Sequence, residues 1–267
     1  MSTDKKSLNS GTSAIGLSGG WFNITVANAR GGVGKTTSAT IIADLCQLAG
    51  VPLALMQIDK RRRLSAFMGD SSVTSIEPLS LKEARTKGNT SFQAYDPVAD
   101  LMKRGNTLLD IGANEDRSYF DWAQYSQLDR ICQKYRIAMD VVAVTLADPM
   151  AIEGATEVLR RAESALPSAR RIVILNERNG NDFARLKGFS ELDTLKQVAV
   201  RLPLADMEIW HRIDTEHLRV IDVASMTAEE MMAAWGLSES AANRAELDFL
   251  EWLEDVRTAF APIYARG

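Results

Sequence analysis

The run Trp21-Phe-Asn-Ile-Thr-Val-Ala-Asn28, continued without a break by Ala29-Arg-Gly-Gly-Val-Gly-Lys-Thr-Thr37, decides how the rest of the chain is read. Its first half is β-branched and aromatic, which predicts a strand. Its second half brings three glycines, Gly31, Gly32 and Gly34, into a four-residue span, so that backbone N–H groups can turn into one concavity. From Ser38 to Ala49 the apolar residues Ala39, Ile42, Leu45, Cys46 and Ala49 recur at helical spacing, and Gly50 ends the helix. A glycine loop between a strand and a helix N-terminus is an anion site, because free amides and the helix dipole both favour negative charge. In that loop Lys35 is expected to reach the β- and γ-phosphates of a nucleotide, and the Thr36 hydroxyl to ligate Mg²⁺.

Outward from this loop the alternation continues. Strands are expected at 52–58, 107–110, 139–146, 171–175 and 198–202, with helical segments between most of them. Asp148-Pro149 reads as an N-cap followed by proline in the first turn, and Ile152, Ala155, Leu159, Ala162 and Leu166 form the stripe of the helix that follows. Such alternation predicts an α/β fold with a mostly parallel sheet and helices on both faces. The stretch 71–106 is the least regular, with one short helix opened by Asp96-Pro97 and closed near Gly105. Beyond Pro203 the pattern turns helical: Thr227 to Glu230 is a capping box, Gly236 a stop, and Leu247, Leu250, Leu253, Val256 and Phe260 the stripe of a last helix over 245–264. The expected organisation is a disordered Ser/Gly-rich tail over 1–20, a core over 21–210 and a helical extension over 211–267 packed on the core or at an interface.

The 267 residues are 46% hydrophobic and 25% charged, an ordinary globular composition. Two cysteines, Cys46 and Cys132, each set among apolar residues, are expected to be buried thiols, and with only His211 and His217 besides them zinc chemistry is not expected. No run approaches the length of a membrane span and no targeting segment is recognisable at the amino terminus, so a cytoplasmic protein is expected. Lys and Arg number 31 against 35 Asp and Glu, and the balance is uneven. Residues 205–267 hold 13 acidic and 5 basic side chains, a net of −8, which leaves +4 on the first 204. Bulk charge therefore argues against coating nucleic acid.

Three further landmarks follow the glycine loop in order. Gln57-Ile58-Asp59 closes the second strand. Leu108-Leu-Asp110-Ile-Gly112-Ala-Asn114 is an apolar strand ending in aspartate and then glycine. Asn176-Glu-Arg178 and Pro203-Leu-Ala-Asp206 follow the last two strands. Together with Ala29-Arg30-Gly31-Gly32-Val33-Gly34-Lys35-Thr36-Thr37, these resemble the ParA/MinD family of P-loop ATPases, over roughly residues 21–210. That family's deviant Walker A loop reads Lys-Gly-Gly-x-Gly-Lys-Thr-Thr, and its first lysine reaches the partner's nucleotide in an ATP-sandwiched dimer. Arg30 stands at that position here, with a planar and permanently charged fork.

The resemblance implies ATP and ADP as ligands, Mg²⁺ as cofactor, and a homodimer formed on ATP binding. It also implies slow ATP hydrolysis stimulated by a protein partner, and a role in positioning, segregating or delivering a cargo such as plasmid DNA or a conjugation, pilus or secretion complex. It assigns Asp59 to orienting water near the metal, Asp110 to a metal-bound water, the Gly112 amide to sensing the γ-phosphate, and Asn176, Arg178, Pro203 and Asp206 to flanking the adenine. The family's first switch aspartate is Gln57 here, which bears on hydrolysis rather than on binding. A nucleotide-occupied adaptor with little turnover, and a metabolic or metallocluster-carrying member of the superfamily, are the alternatives.

Three other features have competing readings. Lys60-Arg61-Arg62-Arg63 is either a contact for DNA phosphates or a solvated charge run. The stretch 227–243 has the outline of a helix-turn-helix, but its second helix would offer Arg244 amid Glu239, Glu246 and Asp248, which disfavours docking on DNA. The last helix is amphipathic with an acidic polar face, so it is expected to pack on protein and not to insert stably into a membrane.

Overall fold

The computed structural model describes residues 20–77 and 88–264. Seven parallel strands form one sheet: β1 (Phe22–Ala27), β2 (Ala54–Ile58), β3 (Val73–Ser75), β4 (Thr107–Ile111), β5 (Ala138–Leu146), β6 (Arg170–Asn176) and β7 (Val198–Leu202), in the spatial order β3-β2-β4-β1-β5-β6-β7. The helices are α1 (Lys35–Leu48), α2 (Arg63–Met68), α3 (Asp96–Met102), α4 (Asp116–Tyr125), α5 (Leu128–Tyr135), α6 (Pro149–Ala165), α7 (Phe189–Leu195), α8 (Trp210–Thr215), α9 (Val220–Ser225), α10 (Ala228–Trp235) and α11 (Glu239–Tyr264). Strand alternation sends neighbouring residues to opposite faces. Val142, Val144, Ile172 and Ile174 join α1 and α9 to α11 in one apolar cluster, while Val141, Ala143, Val173 and Leu175 join α3 to α7 in the other. Strands covered on both faces are the hallmark of a doubly flanked α/β sheet.

The expected strands are all present, with bounds shifted by a residue or two. The three-residue β3, an edge strand beside β2, has no alternation to betray it. Asp148 caps α6 by accepting from the Ala151 amide at 2.9 Å, and Thr227 and Glu230 form the reciprocal capping box of α10. Cys46 and Cys132 are buried free thiols, the second pushed up to about 12 by burial. The tail expected over 1–20 lies, except for Gly20, outside the described residues.

The last helix is longer than its pattern implied, beginning at Glu239, and of the expected stripe Leu253, Val256 and Phe260 are buried while Leu247 and Leu250 are not. Ala242, Ala245, Phe249, Trp252, Val256, Phe260 and Ile263 are buried against the cluster shared with α1, whereas Leu247 and Leu250 are 66% and 38% exposed. Both faces carry apolar residues, and the larger aromatics decide which one turns inward. The face of this helix left exposed sets Arg244 among Glu239, Asp248 and Glu251, an acidic surface that disfavours docking on DNA. Among the described residues no helix is long and apolar enough to cross a membrane.

Candidate functional site

β1 and β4 lie side by side at the centre of the sheet, and β2 and β5 flank them, so the loops that leave their carboxyl ends converge. This is where open α/β sheets bind ligands. The loop from Ala29 to Gly34 bends through Gly32 at φ +76° and Gly34 at φ +94°, conformations that L side chains adopt only with strain. At Gly34 space is also limiting, since a Cβ there would lie 2.5 Å from Asn176 Nδ2.

Behind the loop, Lys35 opens α1 and is buried. Its ammonium donates to the Arg30 carbonyl at 2.7 Å, and burial pulls its pKa down to about 8 against the opposing pull of Asp110. The Thr36 hydroxyl donates to Asp110 Oδ2 at 2.8 Å. Asp110, at the end of β4, is 1% exposed and pushed up to about 6 by burial, although Thr36 and Lys35 oppose the shift. Its other oxygen, Oδ1, is buried with no hydrogen-bond partner among the described residues. A buried carboxylate oxygen left unpaired is costly, and a hydrated divalent cation beside Thr36 would satisfy it. The residues therefore fit Mg²⁺. Among the described residues no group of three or more His, Cys, Asp and Glu could hold a metal.

Asp59 lies at the end of β2, and both of its oxygens are engaged. Arg63 Nε donates to Oδ2 at 2.9 Å, the Arg63 amide reaches the same oxygen at 3.3 Å, and the Arg61 amide reaches Oδ1 at 3.2 Å. Burial pushes the carboxyl up, but these donors outweigh it and hold Asp59 below the usual carboxylate range. Gln57, two residues earlier, is committed to the neighbouring elements. It is fully buried, its Nε2 donates to the Ser65 and Ser75 hydroxyls at 2.6 and 2.7 Å, and its Oε1 accepts from the Leu64 and Ser65 amides. The amide thus caps α2 and ties it to β3, leaving nothing to reach a ligand.

Several residues assigned to the ligand by resemblance are otherwise engaged here. The Gly112 amide donates to the Ile58 carbonyl at 2.8 Å, and a Cβ at Gly112 would lie 2.9 Å from Asp59 Oδ1, so the glycine is required for close packing of two strand ends. Asn176 Nδ2 donates to the Val33 carbonyl at 3.1 Å and its Oδ1 accepts from the Arg178 amide at 3.2 Å, so this side chain buttresses the glycine loop. Arg30 is ion-paired with Asp148 of its own chain. Asn28, which drew no attention in the sequence, braces the same corner: Nδ2 donates to the carbonyls of Val144 and Ala151, and Oδ1 accepts from the Arg30 amide at 2.7 Å. Asparagine at a strand end is too common to have signalled this.

The basic run is largely neutralised internally. Lys60 pairs with Glu115 at 3.5 Å, Arg62 with Asp70 at 3.5 Å and Arg63 with Asp59. Only Arg61, exposed, makes no ion pair among the described residues.

Next to Gly34 and Thr37 opens a cavity of about 360 Å³, lined among others by Asn176, Arg178, Pro203, Trp210 and Trp252. Trp210 and Trp252 meet with ring centroids 4.9 Å apart, and Trp252 Nε1 donates to the Pro203 carbonyl at 3.2 Å. A slot of this size, walled by indoles and prolyl carbon, suits a planar base. Asp206 is exposed and does not line it.

No protein-family model matches the chain, and no curated protein does. Among solved structures it is similar to the MinD cell division protein of Aquifex aeolicus, at 15% identity and TM-score 0.46 over 87% of this chain and 97% of that one. It is also similar to a nucleotide-binding protein in complex with ADP from Archaeoglobus fulgidus, at 14% identity and TM-score 0.43 over 73% and 86%. A plasmid partition protein of Borrelia burgdorferi is similar at 12% identity and TM-score 0.45 over 74% and 96%. These likenesses carry no conclusion about what the chain binds. The strand order, the glycine loop between β1 and α1 and the Thr36–Asp110 contact stand on their own, and by them the chain has the α/β fold of P-loop nucleotide-binding proteins, closed on one face by a long carboxyl-terminal helix.

Proposed function

We propose that the protein is a Mg·ATP-dependent ATPase of the ParA/MinD type, which dimerises on binding ATP and uses the cycle to position or deliver a cargo. The observation that carries this reading is the contact between Thr36 and Asp110, with Lys35 buried beside it and Asp110 Oδ1 left without a partner. In the proposed complex the loop amides of Gly31 to Gly34 and the Lys35 ammonium hold the phosphates, Thr36 and Asp110 hold the cation, and the cavity beside Trp210 takes the adenine. The cation supplies charge neutralisation on the phosphate oxygens. Hydrolysis adds a water oxygen to the γ-phosphorus and breaks the bond to the β–γ bridging oxygen, giving ADP and phosphate. Asp59, whose carboxyl is held below the usual range, would orient that water in this reading. Steady ATP turnover that disappears in Lys35→Ala, and an ATP-dependent rise in sedimentation coefficient in Asp59→Ala, are the expected results. Absence of any ATP-dependent change in sedimentation overturns the dimer switch.

One observation favours a second reading, an adaptor that binds ATP and turns it over slowly. Both oxygens of Asp59 are already engaged by Arg63 and turn amides, and Gln57 is spent on α2. Single-turnover rates separate the two, because an adaptor retains bound ATP over many minutes.

A further inference from the structure

Arg63 is the last member of a basic run, and the structure separates it from the others. Lys60 turns to Glu115, and Arg62 to Asp70 and the Ser75 hydroxyl. Arg63 instead faces the end of β2: its Nε donates to Asp59 Oδ2 at 2.9 Å, and it lies close enough to Lys35 and Asp110 for their charges to act on one another. A guanidinium has five N–H donors in a rigid fork. One of them is spent on Asp59, and among the described residues neither terminal nitrogen of Arg63 has a partner. The side chain is therefore anchored through Nε at the carboxyl end of β2, which lies beside the end of β4 that carries Asp110, and its two terminal nitrogens are uncommitted among the described residues.

We infer that Arg63 is a catalytic residue supplied in cis. With a nucleoside triphosphate in the loop Gly31–Thr37, its terminal nitrogens bond oxygens of the γ-phosphoryl group while Nε keeps hold of Asp59. This rests on the nucleotide reading above and goes beyond it, since the sequence left Arg63 between a contact for DNA phosphates and a solvated charge run. The chemistry suits the geometry. Phosphoryl transfer spreads charge over the equatorial oxygens, and a planar, permanently charged fork matches two of them at once, which a lysine cannot. Arg63 would also couple two tasks, holding the water-orienting carboxylate and neutralising the group under attack.

The competing reading is that Arg63 only clamps Asp59 and the first turn of α2, and the two separate on the γ-phosphate. The test uses the full chain with Mg²⁺, Arg63→Ala and Arg63→Gln, and binding titrations with ATP and with ADP beside single-turnover hydrolysis. The expected result is a loss of about 10-fold or more in ATP affinity with ADP affinity changed less than about twofold, the size of a lost charge-assisted pair. Single-turnover rates should fall by about 100-fold or more, as removal of such an arginine does elsewhere. Free guanidinium ion should restore part of the rate in Arg63→Ala. Equal losses for ATP and ADP, or a rate within about threefold of the parent protein, overturn the assignment. Arg63→Gln retains a neutral N–H near Asp59 and gives the same comparison should the alanine variant not fold. A parent protein that binds neither nucleotide sinks the nucleotide reading itself, whereas one that binds both while its variants keep the parental ATP-to-ADP ratio sinks only the role of Arg63.

Discussion

Around the glycine loop, the proposed phosphate end of the site, burial leaves charged groups in tension, whereas around the indole-walled cavity, the proposed base end, polar groups are already paired. Lys35 is held near pH 8 and Asp110 near 6, each displaced toward neutrality by burial, and one oxygen of Asp110 has no partner. At the other end Asn176 is satisfied by Val33 and Arg178, and Trp252 by the Pro203 carbonyl, so that the cavity is walled but not strained. The contrast teaches that the two ends serve a ligand differently. One gains by receiving charge, and the other offers a slot that needs no rearrangement.

The sharpest way to break this comparison is Lys35→Met. Affinity for ATP should fall by about 100-fold or more, since the ammonium is the buried counter-charge for the phosphates. The same change should raise the melting temperature of the nucleotide-free chain at pH 7. A lysine whose pKa is depressed on folding stabilises fully only above its unfolded value near 10.5, and that stability is lost as pH falls through about 8. The gain should therefore shrink as the pH is raised toward 10, and thermal melts across pH 6–10 check both sign and trend. A destabilised Met variant would show that burial of Lys35 is not a cost.

Asp110→Asn probes the opposite charge. Its carboxyl is raised from 3.8 to about 6, so the stability it contributes is complete below about pH 4 and is lost as pH rises through 6. At pH 7.5 the asparagine variant should be more stable by an amount on the order of 3 kcal/mol, with no difference near pH 3.5, read by denaturant melts at both values. Mg²⁺ should lose most of its effect on ATP binding in this variant. At the base end the expected effect is smaller. Trp210→Ala should weaken ATP by about 10-fold, the worth of a stacked base, and leave inorganic tripolyphosphate binding within about twofold. Equal losses for both ligands would mean that the two ends are not separable.

Much of the fold was legible because the strands are short apolar runs set between helices, and because Gly31, Gly32 and Gly34 punctuate the one connection that matters. The faces were less so. Leu247 and Leu250 satisfied the spacing rule for the last helix, but a three-residue step drifts around it, and Phe249 and Trp252 join Leu253, Val256 and Phe260 on the face that turns inward. β3 escaped because three residues carry no period. In the site, Lys35, Thr36 and Asp110 were legible as types at fixed offsets, and the structure brings them together. The partners of Gln57, Asn176 and Gly112 were not, since they depend on which carbonyl or hydroxyl a neighbouring strand end presents. The inward turn of Arg63 was not legible for a related reason, because a run of four basic residues says nothing about which of them turns inward.

The helix that starts at the phosphate loop is anchored at its far end by the carboxyl-terminal segment. Asp44 of α1 is fully buried and receives Arg219 Nε at 3.0 Å and the Ile221 amide at 3.2 Å, and Arg219 also reaches Gln47. A dissection that kept the strands and discarded everything after Pro203 would thus strip the counter-ion from a carboxylate inside the loop's own helix, as well as the indoles beside Thr37. The terminal helices are not an appendage that can be trimmed to reach a minimal unit, and fusions or truncations should spare them from Trp210 onward.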